Sequence, residues 1–157
     1  MDDLLAFIAQ SQLARAMKSA RYVYPVVNAA HILGLATLFG SILALDLRLL
    51  GAFRSIPVQP LARVLPRIAA GGLAAAVATG ALLFTVEPQD YAANRAFLTK
   101  AALVLLGILH ALYVHSTATW RRLSDADGAI GFSLRLSALI SLTLWTAAIL
   151  AGRLIAF

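Results

Sequence analysis

The chain carries four apolar stretches, each long enough for the roughly 20 residues that a helix needs to cross the hydrocarbon of a bilayer. Nothing else constrains its fold as strongly. Residues 24–45 and 68–86 contain no charge, while 97–120 holds only Lys100 and 130–151 only Arg135, each near the start of its stretch. Hydrophobic residues make up 61% of the 157, charged residues 13%; a soluble domain has about 45–50% and 25%. The excess is more than a buried core of this size could hide. The sequence therefore predicts an all-α integral membrane protein, a single domain over residues 1–157. Its spans are expected at about 24–46, 68–86, 97–120 and 130–152.

The segments between them, 54–67, 87–95 and 121–128, have the Pro, Gly, Asp and Arg content of loops. Short connections imply an up-down-up-down four-helix bundle. Lipid gives little hydrophobic drive for helix association, so small residues should mark the packed faces. Three such stripes are present: Gly34, Thr37, Ser41 and Ala44; Gly72, Ala76 and Gly80; and Ser137, Ser141, Trp145, Ala148 and Gly152. They read as packing surfaces, within one bundle or between copies in a homo-oligomer.

The first 23 residues do not read as a cleavable signal, because Asp2 and Asp3 open the segment and basic residues follow its short apolar run. Leu4, Leu5 and Ile8 share a helical face, so the segment is expected as a short amphipathic helix on the membrane surface, or else as a tail. Six basic residues (Arg15, Lys18, Arg21, Arg95, Lys100, Arg153) fall on one side of the bundle and seven on the other. The second side packs its charges into short loops, which places both termini outside the cytoplasm, on the periplasmic side of a bacterial inner membrane. The net charge of +6 belongs to these loops. No basic stripe interleaved with aromatics points to nucleic acid.

There is no cysteine, which removes disulfides, covalently attached haem, iron–sulfur clusters and thiolate metal sites. Met1 and Met17 both lie outside the spans, so the chain offers no copper(I) path through soft sulfur ligands.

Ionisable residues inside a span are costly and are candidates for function. Asp46 and Glu87, near span ends, are expected to pair with arginines of the same interface. His31, Lys100, His110 and His115 remain. At 1.5 Å per residue, His31 lies roughly 10 Å inside its span, Lys100 about 5 Å and His110 about 20 Å inside theirs. First and third spans run parallel, so His31 should lie between the other two, nearer Lys100. His115 is rotated about 140° from His110 and cannot join it on one metal. Gly107 leaves a gap beside Lys100 and His110 that suits a flat group or close helix packing. Imidazole commonly holds haem iron, and two ligands from facing helices can clamp the plane; a lysine serves once it has lost its proton. Hydrogen bonding of His31 to a neighbour such as Asn28 or a Ser of another span is the structural alternative.

The segments "AHILGLATLFGSILALDLRLL" and "FLTKAALVLLGILHALYVHSTATWRR" resemble small bacterial four-span families. One is the membrane protoporphyrinogen oxidase family; another is the copper-resistance D family with its uncharacterised relatives. The early-span His, the Gly and the terminal Arg-Leu of the oxidase pattern are matched by His31, Gly40 and Arg48-Leu49. Its Lys opening a later span and the His three turns on are matched by Lys100 and His110. The closest likeness is to an uncharacterised family sharing "DLRLLG", residues 46–51, and Phe97 with Lys100. Asp46 departs from the oxidase pattern. The resemblance implies a bound haem b, with His31 one axial ligand and Lys100 or His110 the other. Arg21 or Arg95, at the same interface, would then pair with the propionates. An electron-transfer or oxidoreductase role with a redox partner is the first expectation. A structural subunit of a larger membrane complex, or a copper or small-solute transport protein, is the alternative.

Overall fold

The computed structural model describes residues 2–125 and 130–155. They form eight helices: α1 Asp2–Ala9, α2 Gln12–Ser19, α3 Val23–Leu50, α4 Val58–Phe84, α5 Pro88–Ala93, α6 Arg95–Ser116, α7 Ala118–Asp125 and α8 Phe132–Leu154. Four of them, α3, α4, α6 and α8, are long and apolar enough to cross a membrane. The protein is an all-α four-helix bundle of the multi-pass membrane type. The end that carries the start of α3 and helix α5 is called upper here, and the end with the α3–α4 turn and α7 lower.

Helix boundaries depart from the sequence reading where proline and threonine chemistry decides them. Residues 54–67 were expected as a loop, yet α4 begins at Val58. Pro57 caps it from outside, and Pro60 falls in the first turn, where a backbone N–H has no helical partner in any case. Pro66 lies inside the helix and removes one ladder bond without ending it. At the other boundary the third span stops at Ser116 rather than 120. The Thr117 hydroxyl donates to Val114 O at 2.7 Å and accepts from Trp120 N at 3.2 Å. That pair of bonds closes α6 and starts α7. The predicted loop 121–128 is thus helical to Asp125, and its residues 126–128 lie outside the described residues. The first 23 residues form two helices instead of one, because the Ser11 side chain caps α2 at Ala14 N.

The α3–α4 turn is a left-handed glycine cap. Gly51 has φ of 106° and its N–H bonds Arg48 O, while Ala52 N bonds Leu47 O. Arg48 secures the loop that follows, with Nε donating to Ile56 O at 2.7 Å and a terminal nitrogen to Arg54 O at 3.4 Å.

Helix α3 packs against α4 and α8, and α8 against α6. The small-residue stripes make the first of these contacts close. A Cβ placed on Gly72 would stand 2.6 Å from Leu38 N, and one on Gly34 2.9 Å from Ala76 N. Helices α4 and α6 scarcely meet, so the bundle keeps a seam along that side. Two apolar clusters hold it together. A lower one gathers Leu45, Leu49, Ala62, Trp120, Leu123 and Leu134. A middle one is centred on Leu38, Ala69 and Trp145.

Candidate functional site

Two chambers lie between the four spans, one above the other, and share Leu38, Leu73 and Trp145 in their walls. Trp145 is buried and lies flat in the notch of Gly107, where a Cβ would come within 2.9 Å of its ring. The indole therefore fills the gap beside Gly107, which is close packing. The α8 stripe expected to pack is also what lines the cavities, with Ser137, Ser141 and Trp145 in the lower chamber and Trp145, Ala148 and Gly152 in the upper.

The upper chamber has a volume of about 1040 Å³, at the top of the range of about 300–1,000 Å³ for small-molecule and cofactor sites. His31 and Lys100 both line it. His31 Nδ1 lies 2.9 Å from Ala76 O and 3.1 Å from Thr79 Oγ1. The Thr79 hydroxyl proton is already directed at backbone, with Ala75 O at 2.6 Å. A carbonyl can only accept, so the Nδ1 of His31 carries the hydrogen and donates to Ala76 O. In the neutral ring Nε2 is then left with its lone pair, and it has no hydrogen-bond partner among the described residues. Gly80 makes room for the ring: a Cβ there would stand 3.1 Å from His31 Cε1. Of the hydrogen-bond partners considered for His31, Asn28 is not used, and the bond is made across to another span, at Ala76 and Thr79 of α4. Lys100 lays its chain over Gly152, within 3.4 Å of where a Cβ would be, and is near enough to His31 for their charges to interact.

The mouth of this chamber is aromatic and mixed in charge. The rings of Phe84, Tyr91 and Phe97 stand 5.5 to 6.1 Å apart. Burial, with Tyr24 and Glu87 nearby, pushes the Tyr91 phenol up from its usual range, so it stays a hydrogen-bond donor. Asn94 accepts from Ala96 N and Phe97 N to start α6, and its amide donates to Ile155 O at 3.4 Å. Arg153 lines the chamber, and the two arginines singled out in the sequence do not. Arg21 is exposed and lies over the ring of its neighbour Tyr22 at 5.5 Å. Arg95 is exposed at the first position of α6.

His110 belongs to the lower chamber, of about 390 Å³. Its Nε2 shares a 3.1 Å hydrogen bond with Ser137 Oγ on α8. His115 also reaches this chamber's rim, but its Nδ1 bonds Ala111 O one turn back and its ring lies 4.3 Å from that of Trp120. Asp46, expected to pair with an arginine, is instead buried at 6% exposure and faces this chamber. Ser141 of α8 stands beside its carboxylate, and Oδ2 has no hydrogen-bond partner among the described residues. Arg48, two residues on, points to the loop described above and not back to Asp46. The sequence did contain a signal for this site: Ser137 and Ser141 are one turn apart, so both turn to the same side of α8.

Thus His31 and Lys100 come together, and His110 is held apart from them in a second cavity. Among the described residues no three His, Asp or Glu side chains form a cage for a bare metal ion. A macrocycle that brings four nitrogens of its own needs only one or two axial ligands from the protein.

The chain belongs to a family of unknown function (DUF6644), whose sequence profile matches residues 6–157. No curated protein and no solved structure matches it.

Proposed function

We propose that this family member is a membrane protein that binds b-type haem in the upper chamber, in the service of electron transfer or an oxidoreductase reaction. The observation that carries this reading is the state of His31. Histidines that hold a metal nearly always donate their other ring N–H to a carbonyl or carboxylate, which fixes the tautomer and ring orientation. His31 has that arrangement, with Ala76 O as acceptor and Nε2 unpartnered, beside a chamber large enough for a cofactor. Lys100 is the residue in the same chamber as His31 that would help hold the group through its nitrogen, so it is preferred to His110. Arg153 replaces Arg21 and Arg95 as the guanidinium for the propionates, since it lines the chamber. When bound, the haem supplies one-electron chemistry at its iron. The chain's residues orient the imidazole, surround the ring with apolar side chains and keep water from it.

We place the protein in a bacterial inner membrane with both termini periplasmic and with a redox partner that meets the upper end. The test is the visible spectrum of the detergent-purified protein, oxidised and dithionite-reduced, next to His31→Ala, Lys100→Ala and His110→Ala. A Soret band with sharp reduced bands, abolished in His31→Ala, altered in Lys100→Ala and kept in His110→Ala, is the expected pattern. Protein that stays colourless after expression with ample haem and after reconstitution rejects the reading and favours the structural-subunit alternative.

A further inference from the structure

The lower chamber has polar groups that the haem reading does not use. Its walls are mostly aliphatic and aromatic, and all four spans add polar residues, Arg67 of α4 and His115 of α6 among them. Asp46 and Ser41, from α3, are buried. His110, from α6, is tied to Ser137 of α8. A buried carboxylate oxygen without a hydrogen bond is expensive to leave unmet, and Oδ2 of Asp46 is one. The Asp χ2 torsion is broad and nearly two-fold, so a half-turn brings either oxygen to the chamber side.

We propose that the lower chamber binds a lipid-soluble aromatic alcohol of the hydroquinone class, with a ring hydroxyl donating to the Asp46 carboxylate. Three features select that class. The unmet group is an acceptor, so the ligand must bring a donor. The space is apolar, and both tryptophans of the chain, Trp120 and Trp145, line it, which suits a flat ring better than a hydrated ion. A cation would need several oxygen ligands, and Asp46 is the only carboxylate in the lining among the described residues. Access is from the bilayer, through the seam where α4 and α6 scarcely meet, so the ligand reaches the site dissolved in lipid. The site stands independently of the haem: its residues, apart from the shared wall, belong to the other chamber.

Because both tryptophans line the chamber, their fluorescence reads its occupation. The full chain in lipid nanodiscs is titrated with a decyl-substituted dimethoxy-methyl-hydroquinone under reducing conditions, with and without haem. Saturable quenching is expected, with affinity weakened about tenfold or more in Asp46→Leu, the scale of a lost hydrogen bond to a charged group. Ser141→Ala leaves the carboxylate in place and should weaken binding by a smaller factor, which serves if Asp46→Leu does not fold. Ala138→Leu, which fills the chamber from a buried wall position, should abolish the saturable phase while His31 and the upper chamber are untouched. Three results overturn the proposal. One is quenching that rises linearly without saturation. Another is saturable quenching equal in the wild type and Ala138→Leu. The third is no quenching by the hydroquinone together with Asp46-dependent thermal stabilisation by sodium or potassium, which makes the chamber a cation site.

Discussion

The two chambers each contain a membrane-embedded histidine, and the difference lies in which nitrogen is already engaged. In the upper chamber His31 uses Nδ1 on the backbone of α4 and keeps Nε2 unpartnered, beside a lysine and about 1040 Å³ of space. In the lower chamber His110 uses Nε2 on Ser137, a carboxylate stands nearby, and the space is about 390 Å³. Two histidines that look equivalent in an apolar sequence are thus prepared for different chemistry. The first keeps a lone pair on Nε2 without a hydrogen-bond partner among the described residues. The second belongs to a hydrogen-bonding wall. Leu38, Leu73 and Trp145 stand between the chambers, the indole seated where Gly107 has no side chain.

The strongest way to break this comparison is to force apart α3 and α4, which carry Leu38 and Leu73 of the shared wall. Gly72→Ala drives a methyl to 2.6 Å from Leu38 N and 2.8 Å from Gly34 O, both backbone atoms that cannot step aside. Overpacking of this kind costs about 1–3 kcal/mol, and α3 and α4 should part enough to disturb both cavities. Gly71→Ala is the control, because nothing lies within 4 Å of its Cβ. Thermal unfolding in detergent should show a clear loss for Gly72→Ala and none for its neighbour; equal behaviour of the two would mean that the helices do not approach this closely.

Much of this frame could be read from the sequence. Four spans followed from uninterrupted hydropathy, and the nearness of His31 to Lys100 followed from the fixed rise of a helix and the parallel course of α3 and α6. Asp46 was misjudged because the first span was expected to end near residue 46. Gly51 is the stop signal, five residues later, so a carboxylate expected at the interface sits in the wall of a cavity. The prolines at 57, 60 and 66 hid the first three turns of α4 in the same way. The depth of His110, about 20 Å along its span, already set it apart from His31. The rotation of each helix about its axis, which turns Asp46 and His110 into one cavity, depends on side-chain packing that hydropathy does not record. The acceptor of the His31 N–H, a carbonyl of another helix, has no trace in composition at all.

Smaller perturbations sharpen the comparison by touching one chamber at a time. Gly80→Ala puts a methyl 3.1 Å from His31 Cε1. The ring must turn, and its bond to Ala76 O should be strained. The expected outcome is a shifted or weakened haem spectrum with little change in overall stability and no change in hydroquinone quenching. Gly107→Ala acts on the partition: with a methyl 2.9 Å from the Trp145 ring, the indole must move. Its emission should shift in the protein without added ligand, and both chambers should report the change. A Gly107→Ala protein with unaltered fluorescence would show that Trp145 does not rest on that glycine.

The mildest pair of variants acts at the two ends. Asn94 starts α6 just above Lys100 by accepting from two backbone N–H groups, and it also ties α6 to the end of α8 through Ile155 O. Losing a side-chain cap of this kind typically costs about 1 kcal/mol. Asn94→Ala should therefore lower thermal stability modestly and loosen the upper chamber first, because Lys100 is less than two turns further along the same helix. Arg48→Ala removes two bonds that hold the lower turn, but the group is exposed to solvent, which takes over much of the loss. Its signature should be faster proteolysis within residues 51–57, with the haem spectrum unchanged. If both variants disturb the spectrum to the same degree, the chambers are coupled along the whole length of the bundle and the division at Trp145 does not isolate them. If only Asn94→Ala does, the upper site depends on the upper end of the bundle and is insulated from the turn that closes the lower one.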